Sequence, residues 1–501
     1  MVVIPARVAP DVPVASGTPG AGGRRRGIWR RVLPALLAVL ALTLQGTGQA
    51  VVLDQAAARL DQARTSSGTH VAAPDTRMQG VHAALDVMNR ALTIGDEKAY
   101  LSVVDPSPNP AAAKVRAEQS RMFRTLRQKP FADVRYDWAD EQFSPIGDQT
   151  GTPPDPQAID IRLWRTFWLK GWDSRPATEQ VGLRFARRNG RWMVVGDALQ
   201  YWVNHNSAEL PQPWTVADVV IVTTKHTLVV GDRAHAQAAR RLASRVEDTV
   251  SGVQRLWKSR TWNGRVVVYA VANGQFLSPW FKNRAATGGS GDSATAEFDA
   301  EVVAMTAQSV PDRAQEGTLA ELDSAPSRWA GLRMVVAPTV LSYSSTEARE
   351  VIRHELTHLA TAGMGGEAPT WLEEGAAEYT AYRASSDVTS LHRRGLPESM
   401  WTDLRRKSYQ PDLVDDHAGF YEGSGHEVAV RYSEAWLAVM YIAEHYGEDT
   451  LLRFYQRATD PVPPTPQARE TAALRGVLHL DRAQFEAKVG SYARGLRRHF
   501  V

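Results

Sequence analysis

The chain contains no cysteine in its 501 residues. No disulfide can staple it and no thiolate can ligate a metal, so any metal centre must be built from His, Asp and Glu. A lipobox cysteine for lipid attachment is excluded as well. Charge of one sign is equally scarce: 58 basic residues stand against 55 acidic ones, a formal net charge of +3. Much of that excess is the group Arg24, Arg25, Arg26, Arg30 and Arg31. Despite a sequence pI near 9.0, this balance gives no argument for a nucleic-acid partner. Apolar runs of spanning length are missing too. Val32 to Leu44 is apolar but short, and Gln45-Gly-Thr-Gly-Gln-Ala50 follows it. With arginines in front and small residues behind, this pattern reads as a signal peptide. An uncleaved membrane anchor is the competing reading, because apolar residues resume at Val51-Val52-Leu53. In both readings the arginines stay cytoplasmic and the rest of the chain lies outside, secreted or held by one N-terminal helix.

The length exceeds one ordinary hydrophobic core, so two domains and a non-globular end are expected. Residues 1–53 read as a disordered leader plus signal peptide or anchor, and 54–76 as a linker. A first domain spans 77–206. It opens with helical spacing (Val81, Ala84, Leu85, Met88; then Tyr100 to Val104 and Ala111 to Leu126) and continues with alternating strands around Val134 to Trp138 and Ile159 to Arg165. Val181 to Val195 reads as a hairpin turning at Asn189-Gly190. Trp138, Trp164, Trp168 and Trp192 are expected to pack in its core. Leu210-Pro-Gln-Pro-Trp214 then marks a junction before a second domain, 214–501. There, strands at Ala217 to Val222, Thr227 to Val230 and Val266 to Val271 surround a long amphipathic helix, Ala234 to Arg255. Gly288-Gly-Ser-Gly291 reads as a flexible loop, and Leu332 to Ala337 as a strand. The fold class is α+β.

The chemistry concentrates at His354-Glu355-Leu356-Thr357-His358. On a helix advancing about 100° per residue, two histidines four apart lie one turn above one another and can grip one metal ion. Glu355 sits close enough to act on a water there. Ser344 and Glu347 have capping-box spacing, with Thr346 another N-cap candidate. Ile352, Leu356 and Leu359 form a stripe that buries one face of the helix. A third ligand is offered by Glu373, Glu374 or Glu378, with Glu367 a weaker candidate. Glu374 and Glu378 share a helix face, so one can bind the ion while the other orients a histidine; Glu373 points about 100° away. His417 and His445 lack ligand spacing and are expected at the surface. The runs Arg393-Arg394 and Arg405-Arg406-Lys407 read as a solvated face.

The His-Glu-Leu-Thr-His motif followed by Ala-Pro-Thr-Trp-Leu-Glu-Glu-Gly-Ala-Ala-Glu-Tyr resembles the gluzincin metallopeptidases, most closely their bacterial peptidase-MA-like families; the Trp-Leu-x-Glu-Gly block also resembles the aminopeptidase N group. This resemblance implies zinc, held by His354, His358 and Glu374, with Glu378 behind a zinc histidine. It also implies Glu355 as general base toward a zinc-bound water whose pKa falls to about 7. The connection from His358, residues 359–373, is shorter than in aminopeptidase N and thermolysin relatives; counting alone favours Glu378. Gluzincins also supply a downstream Tyr or His to the developing oxyanion; Tyr432 fits that role, with His426 as alternative, while Tyr379 and Tyr382 read as core or rim. The Gly-x-Met-Glu-Asn block of aminopeptidase N is missing, which favours an endopeptidase or a different exopeptidase mode. No third histidine completes a metzincin pattern, since Met364 occupies that position. The first domain loosely resembles the cystatin-like cone of the nuclear-transport-factor type. The second resembles a zincin-type domain with a small mixed sheet, an active-site helix and a C-terminal helical subdomain, which implies that Leu332 to Ala337 is an edge strand. The implied partner is a peptide or protein substrate. A non-catalytic zincin-like interaction protein, binding its ligand through the cone, is the rival reading.

Overall fold

The structure, a computed structural model, describes residues 2–5, 76–138, 158–197, 212–258, 262–273, 276, 302–309, 330–365, 367–383, 400, 403–406 and 408–496. The rest of the leader with its apolar run, the linker up to Asp75, the Gly288–Gly291 loop, Arg393-Arg394 and Lys407 lie outside the described residues. Among the described residues no helix is long and apolar enough to cross a membrane. The chain divides into two compact units, residues 42–216 with 309–331, and residues 1–41, 217–308 and 332–501. The leader is expected to lack order, yet its start, β1 (Val2–Pro5), is a strand of the second unit's sheet. Its β-branched residues suit a strand, and its closing proline suits the sheet edge it occupies.

In the first unit three helices precede a four-stranded antiparallel meander. Helix α1 (Thr76–Ile94) buries Val81, Ala84, Leu85, Met88, Ala91 and Leu92, a stripe at helical spacing. Asp96 caps α2 (Glu97–Leu101) by accepting from the Ala99 N–H, and Asn109 caps α3 (Pro110–Leu126), whose first residue is proline. The strands β2 (Phe131–Trp138), β3 (Ile159–Leu169), β4 (Ala177–Arg188) and β5 (Arg191–Asp197) pair in sequence order. The β4–β5 turn falls at Asn189-Gly190, both at positive φ, as a two-residue hairpin requires. The tryptophans expected in the core are not there: Trp138, Trp164, Trp168 and Trp192 are only half-buried. Side chains alternate between the faces of a strand. Ile161, Leu163 and Phe167 occupy the odd positions of β3, so Trp164 and Trp168 lie on its other face. The core is instead Tyr100, Phe123, Phe167, Phe185 and a junction residue, Trp214, on the short helix α4 (Pro213–Val216). Phe131 and Phe167 meet the Trp214 ring edge-on at 4.8 and 5.0 Å. Its indole N–H donates to Glu179 Oε1 (3.0 Å), and the same carboxylate accepts from Arg165 Nε (2.7 Å) and the Thr215 hydroxyl (3.2 Å). A buried ion pair is tolerated only when hydrogen-bonded in this way.

The second unit is built on a six-stranded mixed sheet. β6 (Val219–Thr223) runs antiparallel to β7 (Thr227–Asp232), which is parallel to β8 (Val266–Ala270). The sheet continues through β9 (Val302–Ser309) and β10 (Gly331–Val336) in the order β1-β9-β10-β8-β7-β6. Expected as an edge, β10 is therefore internal, because a strand that the sequence pattern did not disclose, β9, pairs along it. The valines of β7 and β8 are buried on both faces, as parallel strands require. The 3-10 turn Arg233–His235 leads into α5 (Ala236–Trp257), whose buried stripe runs from Ala239 to Trp257. α5 comes so near β7 that a Cβ at Gly231 would lie 2.9 Å from that of Ala239. Next come α6 (Ser345–Thr361), α7 (Thr370–Tyr382), α8 (His417–Tyr421), α9 (Gly425–Tyr446), α10 (Glu448–Ala458), α11 (Pro466–Ala473) and α12 (Arg482–Leu496). The Trp257 indole at the end of α5 donates to the Thr380 hydroxyl on α7 (2.9 Å). α7 crosses α9 at Gly375, where a Cβ would lie 2.3 Å from the Ala435 carbonyl oxygen.

Candidate metal centre

Helix α6 starts where its sequence dictates. The Ser344 side chain accepts from the Glu347 N–H, and the Glu347 carboxylate accepts from the Ser344 N–H, a complete capping box. Ile352, Leu356 and Leu359 are buried, as their stripe requires. His354 and His358 lie one turn apart with ring centroids 4.9 Å from each other, and Glu355 is buried between them in sequence. α7 brings Glu374 to the pair: its Oε2 lies 3.2 Å from His354 Nε2 and 3.8 Å from His358 Nε2. His354, His358 and Glu374 are 1%, 5% and 1% exposed, and one potential ligand atom from each falls within 4.8 Å of the others.

Glu378, one turn further along α7, does not join the set. The Nδ1–H of His354 donates to its Oε1 at 3.0 Å, which leaves Nε2 as the inward atom. Both glutamates face the site, and position along α7 decides between them: Glu374 meets the two Nε2 atoms, and Glu378, one turn on, meets His354 Nδ1. The other two candidates fall elsewhere: Glu373 accepts the Ala368 N–H (3.2 Å), and Glu367 is exposed. Tyr432 is buried on α9, its ring 6.2 Å from that of His354, while His426 is exposed on the first turn of the same helix. Tyr382 packs against Trp436 in the core, and Tyr379 sits at a rim, donating to Glu448 Oε1 (2.8 Å). His445 is exposed as expected, but His417 is half-buried. It lies against Tyr421, 4.4 Å between centroids, one turn further along the same short helix.

One residue of the site escaped the sequence reading. The Tyr421 hydroxyl donates to Glu374 Oε1 at 2.6 Å, and Tyr432 donates to Tyr421 at 3.5 Å. No ligand-type spacing marks Tyr421; the only local signal is the aromatic pair Phe420-Tyr421 just before Glu-Gly-Ser-Gly.

The electrostatics divide the two histidines. Burial opposes charge on His354, but the carboxylates of Glu374 and Glu378 outweigh it and push it up to about 10. At His358 burial wins over the pull of Glu374, helped by repulsion from His354, and lowers it to about 3. Burial works against ionised Glu374, yet His358, His354 and the Tyr421 hydroxyl hold it below the usual carboxylate range. Burial and the neighbouring Glu374 charge push Glu373 up to about 8.

The residues fit a metal ion. Glu374 Oε2 and both Nε2 atoms are buried and make no hydrogen bond; the 3.2 Å approach of Oε2 to His354 lacks hydrogen-bond geometry. Leaving each such atom unsatisfied costs about 1–3 kcal/mol. A cation among them satisfies all three, with two nitrogens and one oxygen as donors. No protein-family model and no curated protein matches this chain.

Proposed function

We propose that this chain is an extracytoplasmic zinc metallopeptidase of the gluzincin kind, acting as an endopeptidase on a peptide or protein substrate. The observation that carries this reading is the buried trio His354, His358 and Glu374, on helix α6 with Glu355 and helix α7 with Glu378. Two imidazoles and one carboxylate suit zinc better than magnesium or calcium, which favour oxygen ligands. A dication held there supplies Lewis acidity toward a water or a carbonyl oxygen. Glu355 accepts the proton of the attacking water and delivers it to the leaving amine. Tyr432, beside His354, donates its hydroxyl where negative charge develops on the carbonyl oxygen. Glu378 keeps His354 in the tautomer that presents Nε2. The arginine-flanked run Val32 to Leu44 supports the location, while the pairing of Val2–Pro5 with β9 speaks against it, because both strands must lie on one side of a membrane.

Metal content and peptide cleavage by the full chain, compared with Glu355→Gln, test the reading. Stoichiometric zinc in both proteins is expected, with cleavage reduced at least about 100-fold in the variant. A wild type that holds zinc but cleaves nothing in a broad peptide library would favour the non-catalytic interaction protein. A wild type without zinc would refute the site itself.

A further inference from the structure

We infer that Tyr421 is a positioning residue for Glu374: its hydroxyl occupies Oε1 and so confines the carboxylate to offering a metal ion Oε2 alone. The inference rests on the metal-site reading, and not on peptide hydrolysis. A glutamate can give a metal one oxygen or both, and nothing in a helix-borne Glu decides which. Here the two oxygens have separate duties. Oε2 faces both imidazole Nε2 atoms, at 3.2 and 3.8 Å, while Oε1 accepts from the Tyr421 hydroxyl at 2.6 Å. A short bond from a hydroxyl to an ionised carboxylate belongs to the strong, charge-assisted class. Both partners are buried, so water does not compete for it.

Tyr421 is itself held. It closes α8, which Asp416 caps by accepting from the Gly419 N–H (2.7 Å). The His417 ring packs on it at 4.4 Å and Phe420 at 5.1 Å. α8 thus brings a fixed donor to the far side of the third ligand. With one oxygen withdrawn, the protein offers two nitrogens and one oxygen, a low-coordination set suited to zinc or cobalt with one position left for water. Calcium, which takes about six to eight oxygens, is disfavoured by the same contact.

The test compares the full chain with Tyr421→Phe, which removes only the hydroxyl. Zinc affinity, read by competition with a chromophoric chelator, should fall about 10- to 100-fold. The visible absorption of the Co²⁺-loaded variant should lose intensity as Oε1 joins the metal. Tyr409→Phe, which removes a half-buried hydroxyl that donates to Glu434 and not to a ligand, should keep the wild-type cobalt spectrum and an affinity within about twofold. X-ray absorption of zinc-loaded wild type needs no variant to fold, and should show about four light-atom neighbours. Unchanged affinity and spectrum in Tyr421→Phe, equal damage from Tyr409→Phe, or a wild-type shell of about five neighbours would each overturn the inference. Loss of zinc binding by the wild type would instead remove the metal site and the inference together. Failure to cleave peptides affects neither.

Discussion

Glu434 carries a charge problem away from the metal ligands. It is buried on α9, where its Oε1 accepts from the Tyr409 hydroxyl (2.9 Å) and its Oε2 from the Asp412 N–H (3.1 Å). Burial outweighs those two bonds and pushes it up to about 7. A raised carboxyl means that the folded chain binds a proton more tightly than the unfolded one. Its contribution to stability is therefore complete below the ordinary value near 4.5 and is lost as pH rises through about 7. Replacing Glu434 by Gln should flatten the decline in unfolding free energy between pH 5 and 7 by up to about 1.4 kcal/mol per pH unit. Urea unfolding of both proteins at several pH values measures this; parallel curves would rule it out. Among single residues, legibility followed locality. His354 and His358 are four apart and could be paired on paper. Glu374 and Glu378 could be placed on one face, but the short 359–373 connection left their order open until α7 was seen to cross the site. Tyr421 was illegible, because its partner lies 47 positions earlier and no periodicity links them.

Elements with their own start signals were the readable ones. α6 has its capping box and stripe in the sequence, and the β4–β5 hairpin has Asn189-Gly190. α9 carries a second capping box, Ser424 with Glu427, in its own sequence. The internal place of β10 was not readable, since sheet order depends on a distant strand rather than on the strand's own residues. The crossing of α7 on α9 is likewise a tertiary fact, and Gly375 is its requirement. A methyl group there would meet the Ala435 carbonyl at 2.3 Å and Val439 Cγ2 at 2.8 Å. Since backbone cannot move aside as a flexible side chain can, Gly375→Ala should destabilise the protein by about 1–3 kcal/mol. It should also weaken zinc binding, because Glu374 is the adjacent residue on the displaced helix. Chemical unfolding together with a zinc titration checks both effects. A variant of wild-type stability would mean that the two helices separate at little cost.

At the level of the whole molecule, the excess positive charge belongs to the first 50 residues. Arg7, Arg24, Arg25, Arg26, Arg30 and Arg31 precede Val51 with Asp11 as the only acidic residue among them, so residues 51–501 hold more acidic than basic side chains. Processing near Ala50 should move the isoelectric point from about 9.0 to below 7. Isoelectric focusing of exported protein, with sequencing of its N-terminus, would show this; an unshifted basic band would indicate an intact leader. Within the second unit, the contact that ends α5 has a use of its own. Trp257 is sealed from water, and its indole N–H is tied to Thr380, two positions beyond Glu378 on the helix that carries the third ligand. Indole emission shifts with the wetness and bonding of the ring. The chain holds 15 tryptophans, so the part of an emission change on adding metal that disappears in Trp257→Phe is the part that reports on α7.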